Sequence, residues 1–135
     1  AFGDAIHHCS SRRILRAASW AHSNSTGSVR QYVFASPLEE PAWAPLDAFH
    51  GLDLPFWLGN FGTLPVSAAE RALGDSMRRT LVTLVVDGVP PSDVSWPPFV
   101  SSDEAYLHLV HDGPAPRSRY RQAACDFWDS LEDVP

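Results

Sequence analysis

The sequence contains no lysine, so all 10 of its basic side chains are arginine. Its 16 acidic residues outnumber them and give a formal net charge of −6. Because proteins that bind nucleic acid concentrate basic residues on one surface, this balance argues against a nucleic-acid-binding function. Basic residues that are all arginine are typical of GC-rich genomes, which indicates a bacterial source.

Long apolar runs are also absent. No segment approaches the roughly 18 apolar residues that a membrane-spanning helix needs, so we expect no membrane span. Residues 1–4 lack the basic stretch, apolar run and cleavage site of a signal peptide, and there is no initiator methionine. We expect either that a signal has been removed or that translation began upstream. The 135 residues suffice for one domain with a core.

Cysteine is scarce, and Cys9 and Cys125 lie near opposite ends of the chain. Spacing alone does not show whether two cysteines are bonded, so free thiols and a disulfide are both open at this point. A bond would close a loop of more than about 100 residues and stabilise the chain by roughly 4–5 kcal/mol in the chain-entropy model. It would also place the protein outside the cytosol.

The histidines outside the central segment do not form a metal-binding pattern. Two are adjacent and would point in different directions from a helix, and the other three are scattered: His7, His8, His22, His108 and His111. The sequence therefore predicts neither a metal site nor another cofactor.

Hydrophobic spacing predicts three helices and two strands. The helices are expected over residues 4–18, from a capping box at Ser67 and Glu70 to Gly88, and over residues 119–131. The strands are expected over residues 29–34 and 106–110, and polar residues 23–28 predict a turn. The last helix would carry its larger apolar residues on one side, namely Tyr120, Phe127, Trp128 and Leu131.

This alternation of helices and strands predicts an α/β fold with a mostly parallel sheet. Two strands bury too little surface to be stable alone, so we expect further polypeptide to complete the sheet. Residues 48–60 are rich in apolar side chains but contain Gly51, Pro55 and Gly59. We therefore predict that this segment is a loop and neither a regular helix nor a central strand.

Residues 49–60 resemble the catalytic-histidine loop of type-B carboxylesterases and cholinesterases, whose pattern is His-Gly-x-Asp/Glu-Leu-Pro-Phe, an aromatic residue or two, and Gly-Asn. The matching positions are His50, Gly51, Asp53, Leu54, Pro55, Phe56, Gly59 and Asn60. Trp57 and Leu58 depart from the usual pair but are large and apolar.

Further motifs of the same family follow in the same order. Gly88 and Pro90 match the Gly-x-Pro that closes its long helix, residues 96–99 resemble its Trp-Pro-x-aromatic turn, and residues 125–128 resemble its Cys-x-Phe-Trp. Two features depart from the pattern. Ser10 stands where a proline usually follows the first cysteine, and the end of the long helix lacks the usual aromatic residues, having Leu84, Val85 and Val86.

The resemblance implies that residues 1–135 are the C-terminal part of a single α/β-hydrolase domain, comprising the last strands of a mixed central sheet and flanking helices. It implies a serine carboxylic-ester hydrolase in which His50 is the general base and acid of a Ser-His-Glu/Asp triad. It also implies a Cys9–Cys125 disulfide, and with it a secreted or periplasmic location. Trp57 and Trp43 are candidates for the substrate-binding wall, and no cofactor is expected.

The other two triad members are expected on an N-terminal partner chain, because this sequence has no Gly-x-Ser-x-Gly elbow. The nearest run, residues 74–78, lacks the last glycine and lies inside a predicted helix, so Ser76 is not expected to be the nucleophile. Asp53, three residues after His50, is expected to order the loop and not to act as the triad acid.

Two origins for such a chain are open: physiological cleavage of a precursor, or a nick in an exposed loop. The alternative function is a non-catalytic, cholinesterase-like binding or adhesion domain that keeps the fold and has lost the triad.

Overall fold

A computed structural model of the chain describes residues 3–21 and 28–132. The elements in chain order are a π-helical turn (Asp4–Cys9), α1 (Ser10–Ala21), β1 (Tyr32–Phe34), a 3-10 turn (Ala44–Leu46), α2 (Asp53–Leu58), α3 (Ala68–Asp87), β2 (Ala105–Leu109), β3 (Ala115–Ser118) and α4 (Gln122–Glu132). Over the two described ranges, no helix combines the length and apolarity that crossing a membrane requires.

The chain divides into two compact units. The terminal unit contains residues 1–31, 97–106 and 117–135, and the central unit contains residues 32–96 and 107–116. The assignment of the whole chain to part of a single domain stays a prediction.

The long helix of the central unit, α3, begins and ends where the sequence predicts. The Ser67 hydroxyl accepts a hydrogen bond from the Glu70 amide at 3.2 Å, and the Glu70 carboxylate accepts one from the Ser67 amide. Gly88 ends the helix in the left-handed conformation, with φ of 74°. Its buried residues Leu73 and Met77 follow Glu70 at helical spacing, so one face of α3 packs into the unit.

A three-stranded sheet has the order β1-β2-β3, and β1 pairs with β2 in parallel. The register sets Tyr32 opposite Leu107 and Phe34 opposite Leu109. The core of the central unit draws residues from β2, α2, α3 and the loops: Leu38, Leu52, Phe56, Leu73, Met77, Val94, Trp96, Leu107 and Leu109. The predicted α/β class is confirmed.

The sequence prediction failed at two places in the central unit. Residues 53–58 form a short helix and not a loop, because Pro55 lies in its first turn, where a missing amide hydrogen costs nothing. The strand β3 was not predicted, since Pro116 interrupts it and three of its four residues are exposed, which removes the alternating apolar pattern.

The other differences lie at element ends. The predicted strand over residues 29–34 is reduced to Tyr32–Phe34, because the Val29 carbonyl accepts a hydrogen bond from the Phe99 amide instead. The helix predicted over residues 119–131 begins at Gln122, since Arg119 and Arg121 have positive φ. The predicted turn over residues 23–28 lies outside the described residues except at Ser28.

The terminal unit is held together by a disulfide between Cys9 and Cys125, with a Cα–Cα distance of 5.1 Å. The helix predicted over residues 4–18 forms as the π-helical turn followed by α1, which extends to Ala21. It brings Arg12, which is 4% exposed, to the acidic residues Glu104 and Asp126. Burial lowers the pKa of Arg12, but its hydrogen bonds to these two carboxylates and their charges outweigh burial and raise the pKa overall.

The expected apolar side of α4 is only partly buried. Cys125 is enclosed, whereas Phe127 is 56% exposed and Leu131 is 48% exposed. The described part of the terminal unit therefore leaves about half of the surface of Phe127 and of Leu131 uncovered.

Candidate active site

His50 lies in a tight turn between the 3-10 turn and α2, and its side chain is exposed. The turn is closed by two backbone hydrogen bonds, from Leu52 N to Phe49 O at 3.1 Å and from Leu54 N to Gly51 O at 3.2 Å. Gly51 has φ of 83°, a conformation that glycine adopts without strain. The backbone next to His50 thus has a defined conformation.

Apolar side chains on both sides of His50 anchor the turn. Leu52 is 1% exposed and Phe56 is fully buried, and both belong to the core of the central unit. Phe49 is partly buried against the same core. These apolar residues therefore fix the position of the turn, and His50, which lies among them in sequence, is exposed.

Asp53 is the first residue of α2, and its Oδ2 accepts a hydrogen bond from the Tyr32 hydroxyl at 2.7 Å. This contact ties the segment that follows His50 to strand β1, in agreement with the expected loop-ordering role of Asp53. Burial, together with the hydrogen bond to Asp53 and its charge, raises the pKa of Tyr32 to about 12. Tyr32 is therefore protonated at neutral pH and able to donate.

The two predicted substrate-wall residues lie on opposite sides of the His50 turn in sequence, and both are partly buried against the core. The Trp43 ring lies 6.1 Å from the Phe49 ring, and the Trp57 ring lies 5.0 Å from the Tyr32 ring at a steep angle. The Trp57 indole Nε1 is buried without a hydrogen-bond partner among the described residues. Their contact with substrate stays a prediction.

Ser76 lies within α3, as expected, and its carbonyl accepts a hydrogen bond from the Thr80 hydroxyl at 2.8 Å. A regular helix offers none of the strained geometry of a nucleophile elbow. Cys9 and Cys125 belong to the terminal unit and His50 to the central unit.

A cavity of about 390 Å³ lies elsewhere in the central unit, and no predicted site residue lines it. Its walls are formed by Glu39, Glu40, Pro41, Pro65, Val66 and Ser67. Among residues 3–21 and 28–132, no group of three or more His, Cys, Asp or Glu side chains could hold a metal ion.

Sequence reasoning placed Tyr32 in a strand but did not connect it with the His50 segment. The hydrogen bond joins residues 21 positions apart, and the strand pattern carries no sign of it. Asp53 drew attention only as part of the motif that resembles the carboxylesterase loop. The one further signal is general: a carboxylate that is partly buried needs a hydrogen-bond partner.

Residues 1–128 match the model of a family described as the carboxylesterase family. None of the curated proteins matches the sequence. Among solved structures, one described as a PNB esterase matches with a TM-score of 0.66 and 22% identity, covering 75% of this chain and 21% of that one. A thermophilic PNB esterase matches with a TM-score of 0.65 and 20% identity, covering 75% and 22%.

An esterase from Clostridium hathewayi, described as able to hydrolyse aliphatic aromatic polyesters, matches with a TM-score of 0.72 and 21% identity. The match covers 89% of this chain and 24% of that one. The chain therefore spans about a fifth to a quarter of the length of the structures whose fold it shares.

Proposed function

Because this chain belongs to the carboxylesterase family, we propose that it forms the C-terminal part of a serine carboxylic-ester hydrolase and supplies His50 as the catalytic base. The turn around His50 carries this proposal. It presents an exposed imidazole on a backbone that buried Leu52 and Phe56 hold in place. A base of this kind must reach a substrate and a nucleophile while keeping its position.

The imidazole removes the proton of a serine hydroxyl as the serine attacks the ester carbonyl, and returns it to the departing alkoxide. A carboxylate on the other ring nitrogen selects the tautomer and stabilises the imidazolium. Histidine suits both steps because its ordinary pKa lies near neutral pH. The serine, on a Gly-x-Ser-x-Gly elbow, and the acid belong to an N-terminal partner chain, which together with this chain completes the site.

Exposed apolar side chains support the proposal that a partner chain packs against this one. In the central unit they include residues of α2 and α3, and in the terminal unit residues of α4: Leu54, Leu58, Val82, Val85, Val86, Phe127 and Leu131. Soluble proteins rarely leave large contiguous apolar patches exposed.

The disulfide supports a secreted or periplasmic location. Such bonds form and persist in oxidising compartments and are rare in the cytosol. We therefore place the assembled esterase outside the cytoplasm, acting on a small-molecule ester.

The proposal is tested by combining this chain with the N-terminal chain and measuring hydrolysis of a small aryl ester. His50→Ala should lower kcat by about 10⁴-fold or more, as loss of a triad histidine does. His7→Ala, which replaces an exposed histidine of the terminal unit, is the matched control and should leave kcat unchanged.

A fluorophosphonate probe, which labels an activated serine, gives a second measurement. It should label the N-terminal chain in the wild-type complex and label it far more slowly in the His50→Ala complex. Substantial turnover by His50→Ala, or turnover by this chain alone, would show that the proposed division of the triad is wrong. A complex that folds but neither hydrolyses esters nor reacts with the probe would favour the non-catalytic domain.

A further inference from the structure

The hydrogen bond between Tyr32 and Asp53 is placed to control the position of His50. Tyr32 is the first residue of β1 and pairs with Leu107 in the parallel ladder, so its backbone is part of the sheet. Its ring contacts Trp57 at 5.0 Å and Trp96 at 6.5 Å between centroids, both in edge-on geometry. The hydroxyl is therefore carried by a side chain that the sheet and two indole rings orient.

Asp53 lies close in sequence to the turn that carries His50, so the position of Asp53 affects that turn. It is separated from His50 only by Gly51 and Leu52. The Leu54 amide, next to Asp53, bonds to the Gly51 carbonyl at 3.2 Å, and Leu52 is anchored in the core. A shift of the first turn of α2 would therefore move the His50 backbone.

A second contact supports the same coupling. Tyr32 touches α2 twice, through its hydroxyl at Asp53 and through its ring at Trp57, one turn further along the helix. Two contacts on successive turns fix both the position and the rotation of a six-residue helix, which is too short to be stable by itself.

From this geometry we propose that Tyr32 and Asp53 form a clamp that positions His50, which makes Tyr32 a positioning residue for ester hydrolysis. The inference rests on the proposed role of His50. Its physical basis is that attack by the serine depends on the alignment of the base, and a misplacement of about 1 Å can cost about 100-fold in rate. The donor is available at neutral pH because the phenol is protonated there.

The test uses the assembled two-chain esterase and steady-state kinetics with a small aryl ester. Tyr32→Phe keeps the ring contacts with both indoles and removes only the hydroxyl. It should lower kcat by about tenfold, the effect of losing one hydrogen bond to a charged group, and leave KM unchanged. Asp53→Asn, which keeps an acceptor oxygen but removes the charge, should cause a smaller loss. Tyr120→Phe, in the terminal unit, is the control and should change neither constant.

The double variant Tyr32→Phe/Asp53→Ala tests whether the two residues affect kcat through their contact or independently of each other. If the residues act as one unit, the double variant should be no slower than Asp53→Ala alone. Multiplied losses, an unchanged kcat in Tyr32→Phe, or a change confined to KM would each overturn the clamp. Failure of the proposed function would look different, because His50→Ala itself would then retain turnover. Retained turnover in His50→Ala would overturn the clamp as well.

Discussion

Arg12 Nε lies 3.0 Å from Glu104 Oε1, and the two side chains are only 4% and 7% exposed. Arg16 Nε donates to the same carboxylate oxygen at 2.7 Å. Glu104→Gln keeps the shape of the side chain but removes the most buried counter-charge of Arg12, which keeps Asp126 at 2.6 Å. An uncompensated buried charge costs about 3–5 kcal/mol, and because Asp126 still faces Arg12 we expect a fall in the urea midpoint of unfolding that corresponds to a smaller loss than this.

The exposed pair formed by Arg79 and Asp93 provides the comparison. The two terminal guanidinium nitrogens of Arg79 each donate to one Asp93 oxygen at 2.8 Å, and both side chains are at least half exposed. Because water and salt screen such a pair, Asp93→Asn should leave the urea midpoint almost unchanged. Equal midpoint shifts for Glu104→Gln and Asp93→Asn would show that burial does not determine the strength of these pairs.

Removal of the Cys9–Cys125 disulfide should destabilise the protein substantially. The bond joins residues 116 positions apart, and loss of a native disulfide typically costs about 2–5 kcal/mol. The Cys9→Ser/Cys125→Ser variant should melt at a lower temperature than the oxidised protein, and adding reductant should lower the melting temperature of the wild type only. Alkylation without reductant should label neither cysteine, and two labelled thiols would contradict the bond.

The capping box of α3 predicts two effects of different size. Ser67→Ala removes one hydrogen bond to the Glu70 amide and should cost about 1 kcal/mol of unfolding free energy. Glu70→Ala should cost more, because the buried carboxylate also accepts from the Ser67 amide and, at 2.8 Å, from the Glu39 amide. Urea denaturation measures both values, and a smaller loss for Glu70→Ala than for Ser67→Ala would contradict this reading.

The raised pKa of Tyr32 predicts a loss of stability at alkaline pH. The folded state raises the pKa to about 12, whereas an unfolded tyrosine ionises near about 10. The folded state therefore favours the protonated phenol, and this contribution is fully present below about pH 10 and lost as the pH rises toward about 12. Burial also raises the pKa of Tyr106, so an ultraviolet titration should show late tyrosine ionisation that is reduced but not abolished in Tyr32→Phe, whose stability should also fall less steeply over this range.

A comparison of alanine variants at Gly51 and Gly62 distinguishes the cost of backbone strain to stability from its effect on His50. Both have positive φ, of 83° and 53°, and an added Cβ would meet no atom within 4 Å at either position. Alanine should thus introduce about 1–2 kcal/mol of strain at each. Only Gly51→Ala, next to His50, should also lower kcat for ester hydrolysis. Equal kcat values for the two variants would show that the turn tolerates distortion.

The sequence predicted best those elements whose signals are local. The capping box at Ser67 and the glycine at position 88 define α3 without reference to the rest of the chain. The strand over Ala105–Leu109 was predicted because four of its five positions are buried, which selects a continuous apolar run.

Features that depend on distant contacts were not predictable in the same way. The strand Ala115–Ser118 is defined by its place at the sheet edge and not by its own side chains. The link from Tyr32 to Asp53 depends on where β1 lies relative to α2, which no spacing within either segment encodes. The motif around His50 identified the residue, whereas only the structure shows which side chains anchor its turn.

The disulfide of the terminal unit has a topological consequence for proteolysis. Because it joins Cys9 to Cys125, a single cut at any peptide bond between them leaves both products covalently connected. A protease acting on an exposed connection would yield a protein that migrates as one species under oxidising conditions and separates only after reduction. The bond thus keeps this chain covalently connected after any single cut of the backbone between positions 9 and 125.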